Sequence, residues 1–176
     1  MNSSLKILLY IFFVVAIFYF VQEKFHIFDI RVSDRKEGVE RVNESKDGEK
    51  MEVYNRDGNP ILVSVDIADT ASKRMQGLSG RQNLGDYEGM LFIMDDEGFS
   101  SFWMKEMLIP LDILFIDSKG FIVDIKENLQ PCEGNICPAI NSNEKFKYAL
   151  ELNAGFAEQN RVEIGNSCIF EISSSD

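Results

Sequence analysis

A single histidine, His26, stands beside an apolar N-terminal run, and the rest of the chain has none. A Ser-His-Asp or Cys-His nucleophile system therefore cannot be assembled within residues 51–176. Neither can a His-rich zinc or non-haem iron centre. Any proton transfer falls to carboxylates, Lys, Tyr or Cys. Asp112 and Asp124 lie on the less apolar faces of a hairpin pattern. Glu151 and Asn153 flank Leu152 where a strand pattern runs into a helix pattern. A carboxylate pair is what general acid–base catalysis needs; the same residues equally cap helices or solvate a sheet face. Arg81, just after Gly77-Leu78-Ser79-Gly80, suits an anion or a structural pair with one of these acids.

The densest unusual stretch is Ser100-Ser101-Phe102-Trp103-Met104-Lys105-Glu106-Met107, which holds the only Trp. In strand alternation Phe102 and Met104 face one way, Trp103 and Lys105 the other. An exposed Trp beside Lys and acids can stack a sugar or planar ligand while polar groups hydrogen-bond it. The alternative is that Trp103 caps the core. No Gly-rich phosphate loop is present, and no cofactor or metal is expected.

Cys132 and Cys137 are separated by four residues and bracketed by Pro131 and Pro138. In an exported domain the environment favours a disulfide here. Two free thiols are the plain alternative. A redox pair fits less well, because the spacing is not C-x-x-C and no helix start follows to lower a thiol pKa. A metal site would need further ligands. Cys168 shares a face with Phe170 and Ile172 and reads as a small buried hydrophobe.

The elements that must position these groups are mostly short strands. Met51–Tyr54 and Ile61–Ile67 read as strands around the turn Asn55–Asn59. Asp69-Thr70 caps a short helix ending at Gly77. Strand Gly89–Met94 turns at Asp95–Gly98 into Phe99–Met104. Leu111–Ile116 and Phe121–Lys126 form the clearest hairpin. Phe146–Leu152 is a strand and Ala154–Gln159 a short helix. Arg161–Ile164 and Cys168–Ile172 close the domain around Gly165-Asn166. The fold expected is mainly β (α+β): a small β-barrel-like or rolled antiparallel sheet with two short helices, preceded by one N-terminal transmembrane helix.

Ile7–Val21 is an unbroken apolar run that Leu5 extends past Lys6. As a helix it spans roughly 22 Å, short of the ~30 Å hydrocarbon core, with Lys6 able to snorkel and Tyr19 and Phe20 suited to the interface. A cleaved signal peptide is the competing reading, but the following residues offer no small-x-small site. An uncleaved signal anchor through Leu5–Val21 is therefore expected, making the chain a single-pass membrane protein with its domain exported. Three parts follow: anchor and flank over 1–30, a charged linker over 31–50, and one globular domain over 51–176. The linker balances six basic against six acidic side chains and has only three large apolar ones, too few to offset ordering entropy. The whole net charge of −11 sits on residues 51–176. A field of that sign repels nucleic acid.

Taken in order, several stretches resemble the bacterial and archaeal family called domain of unknown function 192. Its Arg-x-x-Gly-Leu-Met-x-Arg pattern is matched by Arg74–Arg81, with Ser79 in place of Met. Gly-Met-Leu-Phe is Gly89–Phe92. Phe-Trp-Met-Lys-Asn-Thr-x-Ile-Pro-Leu-Asp is Phe102–Asp112, with Glu106-Met107 in place of Asn-Thr. A Pro-Cys…Cys-Pro loop is Pro131–Pro138, and Leu-Glu-Leu-Asn-Ala-Gly is Leu150–Gly155. The resemblance covers residues 61–172. It implies a compact β-barrel-like fold and frequent placement outside the cytoplasm, and supplies no activity. The function expected is a membrane-tethered extracytoplasmic module binding an envelope glycan or small polar ligand through Arg81, Trp103, Lys105, Asp112, Glu151 and Asn153. The alternatives are an assembly protein docking a protein partner and a His-independent carboxylate or Lys acid–base enzyme.

Overall fold

The computed structural model describes residues 48–170, other than 133 and 135. The expected anchor Leu5–Val21 and most of the expected linker lie outside the described residues. Among those described, no helix is long and apolar enough to cross a membrane. The chain runs β1 (Glu49–Tyr54), β2 (Pro60–Ala68), α1 (Ala71–Gln76), β3 (Glu88–Gly98), β4 (Ser101–Phe102) and β5 (Leu111–Ile116). It continues through β6 (Ile122–Leu129), β7 (Ile140–Asn141), β8 (Phe146–Asn153), α2 (Phe156–Asn160) and β9 (Cys168–Phe170).

Seven strands form one sheet in the order β6-β5-β8-β3-β2-β1-β9, and β4 pairs with β7 in a separate ribbon. The sheet curls into a half-barrel whose two edges meet at one end. There Ile122 donates its N–H to Asn166 O at 2.9 Å and Cys168 donates to Gly120 O at 2.7 Å. Gly120 has a φ of 88°, and a Cβ on it would lie 2.8 Å from Cys168 O. Only glycine lets the two edges approach this closely.

The half-barrel and two short helices agree with the expectation, but the sheet is not wholly antiparallel: β2 and β3 pair parallel, Val65 opposite Gly89. The stretch 69–87, with α1 in it, is long enough for the crossover that a parallel pair requires. Three local readings are corrected. Arg161–Ile164 is no strand: Arg161 sits at φ 57° as the C-cap of α2, and Val162 donates to Ala157 O at 2.9 Å. Of Phe99–Met104, only Ser101–Phe102 is strand. Strand β3 runs on through Asp95–Gly98, with an irregularity between Ile93 and Gly98.

Both faces of the sheet are covered. The enclosed face packs Val63, Val65, Leu91, Leu114, Leu150 and Leu152 beneath Phe156 of α2. The other face packs Phe92, Ile113, Phe115, Phe146 and Ala149 beneath Phe102 of the ribbon. Every residue of β5 is consequently buried. A third cluster joins Leu78 and Leu84 to Met104, Met107 and Leu111, so the segment after β4 is itself anchored in apolar packing.

Candidate functional site

Strand β8 carries Glu151 onto the ribbon-covered face, where a carboxylate is out of place. It stands opposite Met90 of β3 and Ile113 of β5 and is 5% exposed. Among the described residues, no hydrogen bond or ion pair reaches its carboxyl. Its side chain instead helps line a cavity of about 260 Å³. Burial alone pushes its pKa from 4.5 to about 8, because removing an ionised group from water disfavours the charged form. At neutral pH this carboxyl is mostly protonated.

The walls of the cavity come from three elements. Strand β3 supplies Phe92 and Met94, α1 and its following turn supply Met75 and Leu78 with the polar Arg74, Gln76 and Ser79, and β4 with the segment after it supplies Ser101, Trp103 and Met107. Trp103 and Met75 are 46% and 66% exposed and form the rim. Phe92 and Phe102 meet edge to face with ring centroids 5.2 Å apart, and both rings line the cavity. A cavity of about 150 Å³ accepts benzene; this one has room for a ring and a short chain.

Local sequence fixes the α1 wall. Thr70 Oγ1 accepts the Lys73 N–H at 3.3 Å, and Gly77 ends the helix at φ 51° with its N–H on Lys73 O. Arg74 is the only other charged side chain lining the cavity among the described residues, and it is already engaged. It donates to Asp69 O at 2.9 Å, to Ile93 O at 2.7 Å and to both oxygens of Asp95 at 3.2 Å. Those bonds fasten α1 to β3. The opposite wall is tied in by Gly80 N–H on Glu106 O at 3.0 Å and Cys132 N–H on Met104 O at 2.9 Å. Gly89 explains how β8 sits so close beneath: a Cβ there would lie 2.6 Å from Glu151 O.

Of the residues singled out from sequence, the cavity brings together Glu151 and Trp103, and the others lie elsewhere. Arg81 is ion-paired with Asp66 in a separate polar cleft that also holds Ser64 and Asn83. Lys105 is exposed and meets Cys132 in an isolated bridge. Asp112 is fully buried and accepts three backbone amides, from Asn128 at 2.8 Å, Gly155 at 3.1 Å and Ala157 at 3.0 Å. Asn153 donates to Leu84 O and Gly85 O, both at 2.9 Å.

Asp124 accepts the Asn143 and Ile125 amides at 2.7 and 2.9 Å and the Lys126 ammonium at 2.8 Å. Burial pushes its carboxyl up, but those donors together outweigh burial and hold it below its ordinary value. Cys132 and Cys137 form a disulfide with Cα atoms 5.8 Å apart. Cys168 is free and buried, and burial pushes its thiol up to about 12. No group of three or more His, Cys, Asp or Glu able to hold a metal occurs among the described residues.

Sequence reading missed the apolar lining. A signal was present: five of the seven Met lie between positions 75 and 107, and three of those, Met75, Met94 and Met107, line the cavity. Flexible, polarisable Met is the apolar side chain best able to conform to a guest.

The family described as Uncharacterized ACR, domain of unknown function 192, matches residues 52–170. A crystal structure from Sinorhizobium meliloti 1021, described as a candidate transcription regulator, is 35% identical with a TM-score of 0.65; the match covers 69% of this chain and 92% of that one. A protein of unknown function from Novosphingobium aromaticivorans DSM 12444 is 26% identical with a TM-score of 0.64, covering 69% and 84%. No curated protein matches the chain.

Proposed function

The chain belongs to the family of uncharacterised proteins called domain of unknown function 192, and for it we propose a binding module that takes a small, largely apolar molecule into the cavity above Glu151. The observation that carries this reading is a 5% exposed carboxyl with no protein partner among the described residues, lining an open and largely apolar cavity whose other polar residues are Arg74, Gln76, Ser79 and Ser101. Apolar walls with one oriented polar group are how small-molecule sites combine affinity and specificity. A glycan fits this cavity less well than an apolar guest, because Met75, Leu78, Phe92, Met94, Phe102, Trp103 and Met107 outnumber Arg74, Gln76, Ser79 and Ser101 in its lining and its many hydroxyls would be incompletely paired. Transcription regulation, named for one structural relative, gains no support from a domain that carries the full −11 charge.

We place the module at the end of a membrane tether, Leu5–Val21, outside the cytoplasm. The apolar run supports the tether. A disulfide suits an oxidising compartment. Retention of the chain in the membrane fraction after alkaline extraction, with the domain open to protease added to spheroplasts, is the expected result. A domain protected in spheroplasts would reverse the orientation.

Trp103 is the only Trp in the chain and stands on the cavity rim, so its emission reports occupancy. Titration with small aromatic and aliphatic compounds should shift that emission saturably, and oligosaccharides should not. Ala71→Phe, which narrows the mouth, should abolish the shift while the fold persists. Saturation by an oligosaccharide, unaffected by Ala71→Phe, would move the binding site away from this cavity.

A further inference from the structure

We infer that the molecule bound in this cavity carries a cationic amine, which pairs with Glu151 at the cavity floor while its apolar part lies between Trp103 and Met107. The inference rests on the binding reading above and names the chemical class of the guest.

Four features of the protein point the same way. The Glu151 carboxyl has no donor of its own among the described residues, and because no wholly buried side-chain oxygen there lacks a partner, its oxygens are open to the cavity, where a guest N–H can reach them. Phe92, Phe102 and Trp103 line the same space, and aromatic rings attract ammonium groups placed over their faces. The sole competing cation in the lining, Arg74, is engaged by Asp69, Ile93 and Asp95. Finally, the domain's net negative field raises the local concentration of cations and repels carboxylates.

The charged groups around Glu151 are few. Strands β3 and β5 present Met90 and Ile113 beside it. Of the cavity residues contributed by α1, only Arg74 is charged, and none contributed by Ser101–Met107 is. The proton balance then follows. The empty protein holds a proton on Glu151 at neutral pH. An ammonium guest binds the ionised form, so entry of the amine expels that proton to solvent and leaves a neutral ion pair in the cavity. Affinity for an amine rises with pH until Glu151 is ionised without help, near pH 8.

The test uses the full chain in lipid nanodiscs, since detergent would enter an apolar cavity. The probes are 2-phenylethylamine, 2-phenylethanol and phenylacetate, which share a ring and differ in charge. Trp103 emission and calorimetry in buffers of different ionisation enthalpy report binding and proton release. The amine should bind at least about tenfold more tightly than the alcohol at pH 8.5. Its affinity should climb about tenfold per unit between pH 6 and 8 and level off above, with about one proton released per amine at pH 7. Glu151→Gln should erase the preference for the amine and leave the alcohol within about threefold. The wild-type pH profile stands whether or not that variant folds.

Equal binding of amine and alcohol at pH 8.5, or tightest binding of phenylacetate, would overturn the amine assignment while leaving the cavity reading intact. Silence from all three probes, in emission and in heat, would overturn both.

Discussion

A carboxyl held in an apolar wall reverses the usual dependence of stability on pH. Below pH 4.5 Glu151 is protonated in folded and unfolded chains alike and its contribution is fully present. Between 4.5 and about 8 the unfolded chain loses the proton while the fold retains it, so stability falls by about 1.4 kcal/mol per unit across that window. Above about 8 no more is lost. Glu151→Gln removes this slope, and urea unfolding at pH 5, 6.5 and 8 should show the wild type losing ground steadily to the variant. Parallel profiles would mean the carboxyl is ionised throughout.

Glu106 is a second residue out of its preferred state. It sits at φ 60°, a region that suits Asn or Gly and strains longer side chains, and the family signature reads Asn there. Its carbonyl accepts the Gly80 N–H at 3.0 Å, which holds the backbone in place. Glu106→Asn should therefore stabilise the chain by about 0.5–1 kcal/mol, read as a rise in the urea midpoint at unchanged slope. A fall would mean that the Glu side chain makes a compensating contact.

At the scale of elements, Asp112 shows how one buried side chain substitutes for local capping. Helix α2 has Gly155 at its N-cap and no side-chain cap of its own. Asp112, reaching from β5, accepts the Gly155 and Ala157 amides and also the Asn128 amide near the end of β6. Asp112→Ala strands three amides, each costing about 1–3 kcal/mol when left unpaired in the interior. Loss of at least about 3 kcal/mol is expected by chemical denaturation, with Asp112→Asn less damaging because its carbonyl oxygen keeps two of the three. A loss below about 1 kcal/mol would show that water takes over as donor partner.

The same residue marks what sequence could and could not tell. Alternation located β2, β5 and β6, because side-chain period is a local property. It could not show that Asp112 and Asp124 are buried staples, since on paper a buried acceptor of backbone amides and a solvated acid look the same. The parallel β2–β3 pair was illegible for a related reason: pairing direction is set by where the α1 crossover returns, which no local pattern encodes. Arg161–Ile164 alternates like a strand, yet Val162 bonds back to Ala157 as the helix ends. Of the candidate site, Glu151 and Trp103 were visible as odd residues. Their meeting was not, because they are joined through the packing of α1 and the segment after β4 onto one sheet face.

For the molecule as a whole, charge opposes compactness. Residues 51–176 carry 21 acidic and 10 basic side chains, and self-repulsion of that size destabilises a folded domain. The ion pairs set against it are mostly at the surface. Arg56–Glu163, Lys73–Asp69 and Arg161–Asp57 have side chains between 39% and 55% exposed, where such pairs contribute about 0–1 kcal/mol each. Salt screens both terms, but over different distances. Repulsion among many like charges acts over lengths comparable to the Debye length, which shrinks from about 30 Å at 0.01 M to about 8 Å at 0.15 M, while contact pairs near 3 Å lose less. Raising NaCl from 10 to 300 mM should therefore raise the melting temperature by a few degrees, about 1 kcal/mol in a domain of this size. Sodium sulfate at matched ionic strength separates screening from surface exclusion, which adds a further increase of its own. A melting temperature that falls on adding NaCl would mean that the surface pairs, and not the excess of acids, set the electrostatic balance of the domain.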